Sequence, residues 1–324
     1  MTPRSLTVLL LGASAAGVLL GLVVGSAGWE PLYGDSASAV AILRDIRLPR
    51  TLGAWLAGAL LGLAGAVAQG LFRNPLADPY LLGSATGAGL GVALLLALLG
   101  LSPVGAMGWG ARLGLTGAAF IGAVVAVLLT LALARGVAHT LRLLLAGVIV
   151  GMVLGAVATL IMFRLPEVMR GMQGFLLGTT GFVGWDGALV MLPLLLVSLV
   201  VAGALARVLD ALTLGDATAT SLGVALGPAR AALVAVMALA TGAAVAQVGM
   251  IAFVGLVAPH LVRVALRPTH RVLLPLSALA GGVLLLAADV LGRWLLAPQE
   301  LPVGALTAVL GGGYLLWLMN RRLA

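Results

Sequence analysis

Ionisable and amide side chains are scarce in this sequence, so each is a candidate for a specific task. Asp289 and Arg293 stand at i and i+4 inside an apolar run and can pair on one helix face. Such a pair either orients a helix end or leaves Arg293 to meet a partner. His260 follows Pro259 with no Asp, Glu or His at ligand spacing, which argues against a metal site. Gln69 and Gln247 lie within apolar runs and suit hydrogen bonding between helices. Met152, Met162, Met169 and Met172 fall close together and read as flexible packing rather than haem ligands. HExxH, GxSxG and paired carboxylates within one run are all missing. The chain contains no lysine, so a GxxxxGK[ST] phosphate loop cannot occur. This reads as a non-catalytic chain that binds no cofactor, and any ATP hydrolysis must belong to another chain. Almost all the acids lie in loops or at the ends of runs, which weakens a proton- or sodium-coupled carrier.

The most polar turn between two long apolar runs is Arg73-Asn74-Pro75-Leu76-Ala77-Asp78-Pro79. Two prolines and an asparagine end a helix there and turn the chain. Arg47-Leu48-Pro49-Arg50 leads into the run ahead of it.

The elements that carry these groups must be membrane helices. Apolar residues form 62% of the 324-residue chain and charged residues 9%, against about 25% in soluble domains. Mean hydropathy is +1.21. The basic charge therefore reads as membrane orientation, not nucleic-acid binding. With no cysteine, disulfides and thiolate sites are excluded. Apolar stretches able to cross about 30 Å of hydrocarbon fall near 6–27, 53–72, 81–101, 112–134, 142–163, 187–208, 229–248, 249–265, 272–294 and 302–320. The expectation is an all-α integral membrane protein of about ten transmembrane helices, with 1–324 as one transmembrane domain. Its first stretch is too long for a signal peptide and reads as a retained span.

Arginine placement favours both termini inside, with Arg73, Arg142, Arg207, Arg230, Arg263, Arg267 and Arg271 among the inner set. Arg44, Arg47, Arg50, Arg164, Arg170 and Arg293 fall outside and weaken that signal, as arginines for an acidic partner would. The inner segment 209–228 is unusually polar. A short helix can start near Thr213 or Gly215, with Asp216 in its first turn, and end at Gly223. Leu214, Ala217 and Leu222 give it an apolar edge suited to docking a soluble partner. Glycines at 58, 62 and 65, and at 147, 151 and 155, are spaced for close helix packing. Gly65–Gln69 faintly echoes Ala243–Gln247, a trace of inverted repeats or of coincidence.

Taken together, the chain resembles the FecCD family, the permease subunits of ABC importers for ferric siderophores, haem and vitamin B12. The resemblance is carried by Arg47-Leu48-Pro49-Arg50, by Gln69 with Arg73–Pro79 and Leu82-Gly83, and by Leu145-Ala146-Gly147. It continues through Leu214-Gly215, Leu222-Gly223 and the run Gly249–Arg263, which includes Ala258-Pro259-His260. His270-Arg271, Leu274-Pro275, Ala288-Asp289 with Arg293, and Leu301-Pro302-Val303-Gly304 complete it. The resemblance implies ten helices in a bacterial inner-membrane homodimer, with the path at its two-fold interface. It also implies ABC ATPase subunits below, which use the ATP, and a substrate-binding protein above. Carried over, Arg47, Arg50 and Arg293 would meet acidic residues of the binding protein. Asn74 and Leu76 would form the cytoplasmic gate, and Leu214, Gly215, Asp216, Ala217, Leu222 and Gly223 the ATPase-coupling element. Bulky iron complexes or cobalamin would be imported by alternating access. The alternative is a secondary carrier or membrane scaffold without an ATPase partner. One departure stands out: Gly311-Gly312-Gly313-Tyr314 lacks the proline that the family usually has there.

Overall fold

The computed structural model describes residues 2–25, 28–29, 37–99, 109–134 and 140–323. The expected ends of the first and third apolar stretches, at 26–27 and 100–101, lie outside these. Helix α1 (Pro3–Val23) starts on a capping box between Thr2 and Ser5. A two-residue antiparallel clasp follows, Val24–Gly25 with Gly28–Trp29. Helix α2 (Ala37–Ile42) runs through a π-helical turn (Leu43–Arg47) into α3 (Leu48–Leu71). A 3₁₀ turn (Pro79–Leu82) leads to α4 (Ser84–Leu99), α5 (Trp109–Leu133) and α6 (Thr140–Arg164). Then come α7 (Pro166–Leu177), α8 (Trp185–Ala204), α9 (Ala206–Thr213) and α10 (Asp216–Ser221). The chain ends with α11 (Leu226–Val248), α12 (Val254–Leu266), α13 (His270–Trp294) and α14 (Val303–Leu323).

Seven of these helices are long and apolar enough to span a bilayer, and α4, α12 and α14 are shorter apolar helices at the other expected spans. The spans differ sharply in surroundings. The most apolar window of the α3 span is 89% buried inside the protein, while that of α1 is 11% buried. Helix α3 is thus the core, and α1 lies against it at the periphery. Trp55 Nε1 ties the two helices by donating to Ser14 Oγ at 2.9 Å.

Glycine spacing explains how α3 can be enclosed so tightly. A Cβ at Gly58 would stand 2.3 Å from the carbonyl oxygen of Gly281, and one at Gly62 2.2 Å from that of Ser277, both on α13. One at Gly65 would stand 1.7 Å from the carbonyl oxygen of Gly255 on α12. The backbones touch, which is the packing that lipid, offering no hydrophobic drive between helices, requires. Gly147 serves likewise against the Leu81 carbonyl, whereas Gly151 and Gly155 have ordinary spacing to Thr86.

The stretch expected at 249–265 turns helical only at Val254. Residues Gly249–Phe253 are irregular, and Phe253 adopts a left-handed φ of 66°. Met250 N–H donates to Phe175 O at 2.9 Å and Ile251 O accepts from the Tyr80 hydroxyl at 3.1 Å, while beside them Thr179 N–H bonds Val248 O at 2.9 Å and Gly304 N–H bonds Gly178 O at 3.2 Å. Gly178, Gly249 and Gly304 meet at this crossing, each with a backbone carbonyl inside Cβ range. Irregular backbone survives in a membrane protein where it is buried and satisfied in this way. The 165–178 segment, between the stretches expected at 142–163 and 187–208, contains α7 because Pro166 and Glu167 open a helix there.

Replacing Gly65 by Ala is expected to destabilise the protein by about 1–3 kcal/mol or prevent folding, as overpacking does. Gly12, with open space around it, should accept Ala with equal or higher stability. Thermal melts followed by size-exclusion chromatography in detergent compare the two. A Gly65→Ala protein as stable as the parent would contradict the backbone contact.

Candidate functional site

Two charged clusters mark opposite ends of the α3–α13 pair. At the end where α3 begins, Asp289 of α13 accepts from Arg50 Nε at 3.3 Å and Nη2 at 3.2 Å. It also accepts short hydrogen bonds from Arg293 and from the Thr180 hydroxyl. Arg50 makes a second, forked pair with Glu300, at 2.9 and 2.8 Å. Arg293 donates to the carbonyls of Gly21 at 2.9 Å and Val24 at 3.2 Å, and to Thr51 Oγ1 at 3.4 Å. The network fastens the ends of α1, α3 and α13 and the 179–181 turn.

The Arg293 side chain is 1% exposed, because its guanidinium is used by Asp289 and the end of α1. In this arrangement Arg293 is held inside the protein and ties α13 to the end of α1. Arg50 is 11% exposed and paired with two acids. Arg47 is half-buried, with Nη1 donating to Leu22 O at 3.0 Å. Arg44 and Asp45, beside it, are well exposed.

At the other end lies the elbow. Arg73 takes a left-handed φ of 52°, and Asn74 Oδ1 accepts from the Leu76 amide at 2.9 Å, closing an Asx turn. Asn74 and Leu76 are both exposed. Asp78 caps the following 3₁₀ turn by accepting from the Tyr80 amide at 2.8 Å. Burial pushes the Asp78 carboxyl above the usual carboxylate range, against the lowering effect of that amide. Tyr80 reaches Ile251 O at 3.1 Å, so the elbow is pinned to the irregular stretch before α12.

The 209–228 segment lies at this same end. Gly215 (φ 102°) and Gly223 (φ 84°) bracket α10 in left-handed conformations that favour glycine. Leu214, Ala217 and Leu222 are exposed, while Ala219 faces inward. Asp216 bridges Arg230 at 2.7 Å and Arg73 at 3.3 Å. Asp210 accepts from the first amide of α13, that of His270, at 3.0 Å and meets its Nδ1 at 2.6 Å. Gln69 donates to Leu256 O at 3.1 Å and accepts a short bond from Arg263.

The remaining candidates separate. Gln247 bridges α11 to α5 through Thr116 at 3.3 Å, so it joins other elements than Gln69 does. Met162 and Met172 share one buried cluster, whereas Met152 is 72% exposed, so the four methionines do not form one group. His260 meets Tyr314 edge-on at 5.8 Å. The Gly311 position is explained by Phe253, whose Cβ would lie 2.3 Å from a side chain there. Sequence reading missed the Arg73–Asp216–Arg230 bridge, although Arg73 directly precedes Asn74 and Asp216 opens α10.

Residues 6–321 match the FecCD transport family. The hemin transport system permease protein HmuU of Yersinia pestis is 40% identical over 322 residues, covering 98% of this chain and 93% of that protein. The vitamin B12 import system permease protein BtuC of Citrobacter koseri is 40% identical over 317 residues, covering 97% and 92%. A solved structure of a metal-chelate type ABC transporter, in an inward-facing conformation, superposes with a TM-score of 0.86 at 26% identity. It covers 99% of this chain and 100% of that one. PsaBC from Streptococcus pneumoniae, in complex with Fab, shares the fold at a TM-score of 0.55 and 17% identity, over 82% of this chain and 88% of that one.

Asp289→Ala leaves two buried arginines without their shared anion and should cost about 3–5 kcal/mol. Glu300 is 29% exposed at the rim, and Glu300→Gln should cost about 1 kcal/mol or less. Thermal stability in detergent measures both. Equal losses would mean that the cluster is not centred on Asp289.

Proposed function

The chain belongs to the FecCD transport family, and on that premise we propose that it works as one half of a homodimeric, ATP-driven importer. The cargo is a bulky iron complex, haem or a ferric siderophore, or cobalamin. ATP is bound and hydrolysed by a separate cytosolic ABC ATPase, and a substrate-binding protein delivers the cargo from outside. The observation that carries this reading is the full-length likeness to permeases of haem and vitamin B12 systems. The geometry supports it with two unlike ends. One end holds arginines set in a buried ionic frame, and the other presents a short helix edged by exposed leucines beside a polar elbow.

The whole of 1–324 serves as one transmembrane domain in the bacterial inner membrane. The arginine end, with Arg47 and Arg50 nearest the surface, faces the binding protein, and Arg293 supports it from beneath. The α9–α10 end faces the cytoplasm and seats on the ATPase through Leu214, Ala217 and Leu222. Gly215, Asp216 and Gly223 set the shape of that element. Both termini are cytoplasmic. The α1 helix supports this sense, because its last turn joins the arginine cluster. Asn74 and Leu76 narrow the path at the cytoplasmic side. Nucleotide-driven motion of the ATPase rocks the coupling element and opens the two ends of the path in turn.

Reconstitution in liposomes with the ATPase and binding protein from the same system tests this. Leu222→Arg should weaken ATPase association about thirty-fold, the 2 kcal/mol of a hot-spot residue. Arg47→Glu should abolish stimulation of ATP hydrolysis by the binding protein. Loading that protein with haem, a ferric siderophore or cobalamin identifies the cargo by uptake. If no ATPase associates and neither variant matters, the carrier or scaffold reading replaces the importer.

A further inference from the structure

One carboxylate at the coupling end holds two cations that belong to different parts of the chain. Asp216 Oδ1 meets Arg230 Nη2 at 2.7 Å and Arg73 Nη2 at 3.3 Å. Asp216 is the first residue of α10, immediately after the left-handed Gly215. Arg230 lies on α11 with its side chain 3% exposed, and Arg73 is the elbow residue next to Asn74. Arg73 Nη1 also passes within 4.0 Å of where a side chain on Gly215 would begin. The coupling helix and the gate elbow, far apart in sequence, are therefore joined directly by an ion pair.

The burial of the three groups divides their tasks. Arg230 is enclosed, so its pair fixes Asp216 to α11 and belongs to the fold. Arg73 and Asp216 have side chains 38% and 41% exposed, and a pair so open to water adds at most about 1 kcal/mol to stability. Stability does not account for it. A weak, half-exposed bridge between two moving parts can instead form in one state and break in another. The left-handed backbone at Arg73 is costly for a non-glycine residue, and the fold holds it.

We propose that the Asp216–Arg73 pair is the link through which motion of the α9–α10 segment reaches the elbow bearing Asn74 and Leu76. Arg73 acts here as a positioning residue. The proposal rests on the reading of α10 as the ATPase-coupling element.

The absence of cysteine allows a direct test that needs no cargo. Leu76→Cys places one thiol on the half-exposed elbow of the chain. Its labelling rate by a water-soluble maleimide is measured in the complex with the ATPase, with and without ATP and vanadate. The parent thiol variant should change its rate by about five-fold or more, the low end of coupling between sites. Adding Arg73→Ala should reduce the change to below about two-fold, and Arg73→Lys should restore most of it. A full nucleotide response in the Arg73→Ala protein would overturn the link while leaving the importer reading intact. Loss of the ATPase from that protein would also overturn it, since Arg73 would then serve assembly. If Leu222→Arg still retains the ATPase, the coupling reading itself fails and the link falls with it. An elbow that ignores nucleotide in the parent overturns the link as well.

Discussion

Direct backbone contact between α3 and its neighbours is the constraint on which the rest of the molecule depends. Gly58 and Gly62 lie against Gly281 and Ser277 of α13, and Gly65 against Gly255 of α12. No side chain fits between them, so the relative position of these helices has little freedom. Helix α3 is about 36 Å long at 1.5 Å per residue, enough to bridge the hydrocarbon. Both charged clusters are built on its ends. A shift of one helix against the other would displace Arg50 from Asp289 at one end and Gln69 from Arg263 at the other.

The two clusters differ in kind because they differ in exposure. Around Asp289 the groups are enclosed, so a missing partner would leave a buried charge, and the network behaves as one rigid clamp. Around Asp216 and Asp210 the carboxylates are about two-fifths exposed, and water competes for the Asp216–Arg73 bond, while Arg230 holds Asp216 from the buried side. Rigidity at one end and exchangeable bonds at the other suit a protein proposed to receive a partner passively outside and to be moved by one inside. The irregular crossing of Gly178, Gly249 and Gly304 sits between these ends and ties α7, α11 and α14 without a helix–helix seam.

Within Gly311-Gly312-Gly313, the first glycine has a packing role in the same terms. Phe253, left-handed at the start of α12, places its Cβ where a side chain at Gly311 would go. Glycine there admits the aromatic ring against α14, which any larger residue would displace. At Gly313, where the family would carry its proline, a Cβ would meet nothing within 4 Å, and packing does not explain that departure.

Much of this was legible in the sequence. Hydropathy and length placed the ten apolar helices, since burial in lipid demands long uninterrupted runs whatever their neighbours. Pro75 and Pro79 marked the elbow, and Gly215 and Gly223 the bounds of α10, because proline and glycine act through the local backbone. The spacing of Gly58, Gly62 and Gly65 indicated close packing but could not name the partner. Only the tertiary structure decided that Arg293 is enclosed, that Asp216 meets Arg73, and that the chain stays irregular until Val254. Each of these depends on which distant segment lies alongside. An arginine near the end of an apolar run reads the same whether it meets water or the carbonyls of Gly21 and Val24. Local chemistry set the elements, and long-range contacts set what their charged groups do.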